Sequence, residues 1–447
     1  MSTSAWTVVI LVSAVPSLMV LLKELRHRGA STVLWFVALA FYLRFLAAAL
    51  HEYTYAPLLG PLSLNAMLSV AMLAVGIIVI DRRLLLLKTL WPVYLILSLA
   101  LGSALLNGAL AVGTETITKW LLLLVLMVAL VQALLERPLA EVLEVLMRAF
   151  ALPVILLLAS LALGYAKANE IDGSISYIGG YSHEAAFSII LATLLGLTLL
   201  RYWQEREYVD GACKTLPLLL FVLLLLVNYR TTVLAMLLPV GLYLFDRFVV
   251  RASLPKQLAL CLVAGLAVVI LPLDLAAQLA RFQDLPAVFA GYEELVQRPE
   301  YYTDWQRQYL SSRAYLWSQY ITAWSDASAV HQLAGLGPDT WKGRFVTYAH
   351  NTFVSFLYEM GVLGVIGLAV FFAALLLAAR RTLMLLFLAW GFVILNLGTL
   401  PLWQVEGIFF ASVIAAVAYS GRLLAASTRP SAADELRPSD LGLIRSS

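Results

Sequence analysis

The stretch LPLLLFVLLLLVNYRTTVLAMLLPVGLYLF, residues 216–245, sets two apolar runs either side of a short polar break at Asn228, Tyr229 and Arg230. In hydrocarbon each run satisfies its own backbone only as a helix, and so short a break has room only for a tight turn, so a helical hairpin is predicted. The signal recurs near 6–22, 31–50, 62–80, 84–106, 117–135, 145–165 and 183–200, and again near 257–272, 350–375, 382–398 and 406–421. With the pair at 215–228 and 230–247 this makes 13 candidate spans, within a range of about 12–14. The expected fold class is all-α, a polytopic transmembrane helical bundle. Composition agrees: 62% of the 447 residues are hydrophobic, against roughly 45–50% in soluble domains, and mean hydropathy is +0.89. With 13% charged residues and a net charge of +3, the chain lacks the charged coat of a soluble protein and the basic field of a nucleic-acid binder. Two cysteines, Cys213 and Cys261, are too few for a disulfide framework or a Cys-based metal site.

Alternation of loops orients the bundle. Lys23, Arg26 and Arg28, Arg82 and Arg83, Arg137 and Arg148, and Arg380 and Arg381 belong to one side, and in all 20 of the 30 Lys and Arg residues fall there. The positive-inside rule makes that side cytoplasmic, with the N-terminus outside and the first apolar run a retained anchor. Residues 1–272 then form the N-terminal transmembrane helices, 273–349 one large helical periplasmic loop, 350–421 the C-terminal transmembrane helices and 422–447 a disordered cytoplasmic tail. In the loop, Trp305, Tyr309, Leu316, Trp317, Tyr320, Ile321 and Trp324 recur at helical spacing, which predicts a helix over about 303–325. Thr303 and Gln306 form a capping-box pattern at its start, and its aromatic stripe reads as a face on the bilayer surface or on the mouth of the bundle.

Ten basic residues lie outside the cytoplasmic set. Arg44 sits inside the second span, where a cation either faces a polar cavity or snorkels to the outer interface. Arg230 occupies the outer turn; it either touches lipid headgroups or turns its guanidinium fork into a cleft, to hold a phosphate oxygen bidentately. Arg313 stands four residues from both Tyr309 and Trp317, on the aromatic face of the loop helix, and that also suggests an anionic partner. His350 opens a long apolar helix where the loop returns to the membrane, beside Asn351 and after Lys342 and Arg344. An ordinary interfacial histidine fits this position, and so does a neutral imidazole at a helix start, acting as base toward a sugar hydroxyl. No Asp-x-Asp motif, histidine cluster, phosphate-binding loop or dinucleotide glycine motif occurs outside, so neither metal nor cofactor is expected.

Gly335-Leu336-Gly337, then His350-Asn351, then Glu359-Met360-Gly361-Val362-Leu363-Gly364 resemble the signature of the O-antigen ligase and polymerase superfamily. Asn228-Tyr229-Arg230-Thr231 is similar to its short outer turn ending in Arg, with Tyr229 where Ser or Gly is usual. The likeness covers about 215–370. It implies a glycan donor on undecaprenyl pyrophosphate and a hydroxyl acceptor at the periplasmic face. Arg230, with Arg44 or Arg313, would neutralise the diphosphate; Asn351, Lys342 and Arg344 would contact substrate; and His350 would serve the acceptor hydroxyl, with inversion. Glu359, about 13 Å down the helix from His350, reads as a packing acid. Polymerases of the superfamily commonly place Gly sixteen residues after Arg in two outer loops. From Arg281, Arg298, Arg307 and Arg313 the sixteenth residue is Gln297, Ala314, Ala323 and Ala329, so the balance favours a ligase with lipid A core as acceptor. A polymerase, a protein oligosaccharyltransferase and a lipid-linked glycan flippase are the alternatives, the last disfavoured by the absence of an inverted repeat.

Overall fold

A computed structural model describes residues 3–59, 62–168, 175–205, 211–250, 296–308 and 312–427. The run at 257–272, the first part of the outer loop with Arg281, and residues 428–447 lie outside these.

The described chain is helical, with two short β-hairpins. In order the helices are α1 (Thr3–His27), α2 (Thr32–Ala49), α3 (His51–Thr54), α4 (Leu64–Val79), α5 (Trp91–Leu106), α6 (Leu110–Glu136), α7 (Leu139–Ala149) and α8 (Ala151–Ala162). There follow α9 (Glu184–Glu205), α10 (Gly211–Val227), α11 (Arg230–Leu244), α12 (Arg313–Ser325), α13 (Ala329–Ala334), α14 (Thr352–Ala379), α15 (Leu383–Gly398) and α16 (Val405–Ser427). Among the described residues seven helices are long and apolar enough to cross a membrane, eight if the α7–α8 pair, bent by 44°, is one span, and four shorter apolar helices join them. The run at 145–165 is therefore a broken helix that starts at Leu139. The last helix continues to Ser427, into the segment expected as tail.

Which helices sit at the centre follows from their all-round burial. Residues 122–131 of α6, 187–200 of α9 and 405–416 of α16 are buried on every face, as a helix inside a bundle requires. Conversely, α1 exposes Val8, Leu11, Val12, Val15 and Met19, and α4 exposes Val70, Val75 and Ile78. An apolar surface of that kind is a face for lipid.

Loops that alternation groups together do touch one another. On the basic side Glu144 accepts from Arg28 and, at 2.9 Å, from Arg201, while Arg381 donates to the Gly421 carbonyl at 3.0 Å. On the other side Asn107 donates to the Gly335 carbonyl at 3.1 Å, Lys342 reaches Glu115 at 2.7 Å, and the Tyr177 amide bonds the Leu226 carbonyl at 3.1 Å.

Two interruptions shape the side opposite the basic loops. Asn228, with φ 58°, turns the chain between α10 and α11, which is the hairpin expected there. Inside α14, Gly361 has φ 65° and ψ −162°, and the helix breaks across it. Residues 333–337 cross that break main chain on main chain: the Leu336 and Gly337 amides bond the Tyr358 and Glu359 carbonyls at 2.9 and 3.0 Å. A Cβ on Gly335 would collide with the Glu359 carbonyl, and one on Gly361 with the Leu333 carbonyl. Glu359 accepts from the Asp339 amide at 3.2 Å, so it packs the crossing as the sequence suggests.

Gly361→Ala should therefore lower thermal stability, since a glycine-only backbone region costs a side chain ~1–3 kcal/mol before any collision. Gly102→Ala in α5, where a Cβ meets nothing within 4 Å, is the control and should melt like wild type. Equal melting of both variants in detergent would show that the crossing tolerates a methyl group.

Candidate active site

The segment that carries His350 is positioned from α12. This helix begins at Arg313, later than the 303 expected, after a 3-10 turn at Gln306–Gln308 and a left-handed Ser312. The capping pattern is realised on the turn, where the Gln306 side chain accepts from the Thr303 amide at 3.0 Å. The aromatic stripe of α12 faces inward, so of the two expected places, bilayer surface or bundle mouth, it is not on the first. Trp317 Nε1 donates to the Ala349 carbonyl at 2.7 Å and the Tyr320 hydroxyl to the Thr347 carbonyl at 2.8 Å. Tyr320 also stacks on Phe345 at 4.1 Å, and with Leu316, Ala349 and Tyr358 it forms a small second core. One helix thus supplies a cation at its first residue and clamps the backbone that ends in His350.

At the junction, Asn351 is the cap of α14. Its Oδ1 accepts from the Phe353 and Val354 amides at 2.9 and 3.1 Å, and its Nδ2 donates to the Leu397 carbonyl of α15 at 2.9 Å. His350 is thereby left outside the helix, at φ 50°. Among the described residues the non-glycine positions with positive φ are Asn228, Ser312, Asp339 and His350, all on the side opposite the basic loops. Such conformations cost about 1–3 kcal/mol each and gather where geometry serves function.

The His350 ring lies 4.1 Å from that of Tyr348, centroid to centroid. Arg313 Nη2 donates to the Tyr229 hydroxyl at 3.4 Å, which ties α12 to the α10–α11 turn, where Arg230 is the half-buried first residue of α11. Burial first, then the positive charge of Arg313, then His183, push the His350 imidazole down to about 4. Burial and charge, and not the start of α14, set this shift, because the Asn351 side chain already occupies the first amides of that helix. His183 has its own affinity for a proton lowered, by burial and by Lys167 and Arg313, against the opposing charge of Glu184. Its Nδ1 accepts from the Ala185 amide at 3.0 Å, which leaves Nε2 as the donor of the neutral ring. Arg313, His183 and His350 therefore share one electrostatic space.

The remaining candidates are dispersed. Arg44 is 5% exposed and bonds Glu406 of α16 at 3.2 Å, so it does not snorkel to the interface; it is a paired buried charge. Tyr55 stands close enough to feel both charges of that pair. Arg344 lies over the rings of Phe345 and Tyr358, at 5.8 Å from each. Lys342 pairs with Glu115 at 2.7 Å and Asp339 at 3.6 Å; burial works against its ammonium, yet these carboxylates raise it overall. Sequence reasoning passed over His183, Tyr229 and Tyr348. A signal for His183 was present, since it opens α9 as His350 precedes α14. Among the described residues no group of three His, Cys, Asp or Glu side chains stands close enough to hold a metal ion.

Residues 216–369 match the family model described as O-antigen ligase. This stretch belongs to the O-antigen ligase superfamily. The match spans the α10–α11 turn with Arg230, the outer segment with Arg313, the His350 junction and the break in α14, and with the apolar helices it supports a multi-pass membrane enzyme of the ligase and polymerase type. No curated protein matches the chain.

In the free protein the imidazole of His350 should stay neutral until the pH falls to about 4, against about 6.5 for an ordinary histidine. Arg313→Gln removes a positive neighbour and should move the midpoint up, as read by NMR titration of ring-labelled histidine. A midpoint near 6.5 that ignores the substitution would contradict the shared space.

Proposed function

We propose that the protein transfers a glycan from undecaprenyl pyrophosphate to a hydroxyl of lipid A core oligosaccharide, at the periplasmic face of the bacterial inner membrane, as a metal-independent, inverting O-antigen ligase. The observation that carries this reading is the convergence of Arg313 and two neutral imidazoles beside the turn that holds Arg230. A lipid diphosphate is a good leaving group once its developing charge is met by fixed donors. Arg230 and Arg313 supply guanidinium forks, and His183 offers a further N–H. Arg44, neutralised by Glu406, holds α2 to α16 behind the site and does not itself meet the diphosphate.

His350 takes the acceptor's proton. The hydroxyl oxygen forms its bond to the anomeric carbon from the face opposite the departing oxygen. The bonding pair of the old C–O bond leaves with the diphosphate, and the proton rests on the imidazole until solvent removes it. An imidazole held at about 4 is a weak base in the empty site, but an arriving diphosphate offsets Arg313 and raises its basicity. The base is thus strengthened by the donor itself, which discourages idle chemistry before the substrate is in place. Asn351 holds the junction, and Lys342 and Arg344 flank the acceptor's approach.

His350→Ala should lower transfer by ~10²–10⁴-fold with normal membrane levels, and Arg230→Lys should be severely impaired because a point charge does not replace a fork. Purified protein given lipid-linked oligosaccharide, with and without lipid A core, reads both. Wild-type transfer in either variant removes that residue's role, and a glycan that lengthens on its own lipid makes the protein a polymerase.

EDTA should leave the rate unchanged. Loss of activity that magnesium restores would replace the guanidinium scheme with a metal-assisted one.

A further inference from the structure

We infer that the pocket walled by Trp341, Tyr348 and Trp403 is the subsite that seats one ring of the acceptor saccharide; this rests on the glycan-transfer reading above. The pocket has a volume of about 180 Å³. That is below the roughly 300–1,000 Å³ of sites that enclose a whole drug-sized ligand, so it suits a single ring of a longer glycan. It lies on the outer side, between the start of α6, the segment before His350 and the connection from α15 to α16.

Its chemistry is that of a sugar site. A pyranose ring has apolar C–H faces and a rim of hydroxyls, and it is held by aromatic planes for the faces and charged or amide groups for the rim. Three aromatic side chains wall the pocket, and Glu115, Lys119, Lys342 and Gln404 furnish its polar edge. Glu115 bonds Lys119 at 2.5 Å and Lys342 at 2.7 Å, and Lys342 also meets Asp339 at 3.6 Å. Each ammonium has three donors, so both lysines keep capacity for a hydroxyl after these pairings. The two cations and two anions cancel, which suits a neutral ring and not a diphosphate. The charges are also held in place, because buried Asp339 accepts from the Thr116 amide and hydroxyl at 3.3 and 2.8 Å.

Position links the pocket to the reaction. Tyr348 lines it and stands 4.1 Å from the His350 ring, so a sugar bound there is one aromatic ring away from the base. Arg313 meets the site from Tyr229 on the α10–α11 turn. Diphosphate and acceptor hydroxyl thereby approach His350 from different elements, which a displacement needs if the two substrates are not to compete for one space.

Full-length protein in nanodiscs, assayed with saturating lipid-linked donor, tests this through Lys119→Gln and Trp341→Ala. Each should raise the acceptor KM about tenfold, the change expected for one lost hydrogen bond or ring contact, with the donor KM unchanged. Direct binding of donor-free protein to core oligosaccharide and, separately, to repeat-unit glycan names the source of the ring. Binding should persist in His350→Ala and weaken about tenfold in both pocket variants. Unchanged acceptor KM and binding in these variants, a shift in donor KM alone, or no binding of either saccharide to wild type would overturn the subsite. Absence of transfer by wild-type protein from any lipid-linked donor would instead overturn the proposed function, and the binding arm would still report on the pocket.

Discussion

Main chain crossing main chain is the constraint on which the outer side depends. At residues 333–337 the returning loop lies directly on the broken helix at 358–361, and amides of one bond carbonyls of the other. Backbones approach this closely only where no Cβ intervenes, and Gly335 and Gly361 each serve on two counts: a Cβ on either would strike the opposite main chain, and both adopt positive-φ conformations closed to side chains. The crossing then sets Asp339, whose carboxylate orders Thr116 and meets Lys342. What reads as a glycine motif is a joint between loop and bundle.

A second joint fixes the imidazole. Trp317 and Tyr320 hold the carbonyls of Ala349 and Thr347, while Asn351 caps α14 and ties it to α15. Between these anchors His350 has little choice of backbone, and its left-handed conformation is the local cost. Burial with positive neighbours keeps the ring proton-poor. Backbone strain and electrostatics therefore converge on one small region.

Much of this was legible from residue patterns. Apolar run length marked the helices, the polar break at 228–230 marked a hairpin, and the His350-Asn351 junction stood out because polar residues open a long apolar helix there. The fate of Arg44 was not legible, since its partner Glu406 is 362 residues away and no local pattern links them. The stripe on α12 was legible but its cover was left open between bilayer surface and bundle mouth, because aromatic periodicity says that a face exists and not what covers it. His183 and Tyr348 escaped because each looks ordinary until Arg313 is brought beside it.

Sequence by itself determined the class, the alternation of loops and the residues at each turn, because hydrocarbon obliges every spanning segment to be an apolar helix and leaves that requirement written in local composition. Only the tertiary structure decided which of the outer cations meet an imidazole and which are spent on internal ion pairs. The physical reason is range: helix formation depends on neighbours three or four residues away, whereas charge neutralisation and the pKa of a base depend on groups a few ångströms distant in space, brought there from anywhere in the chain.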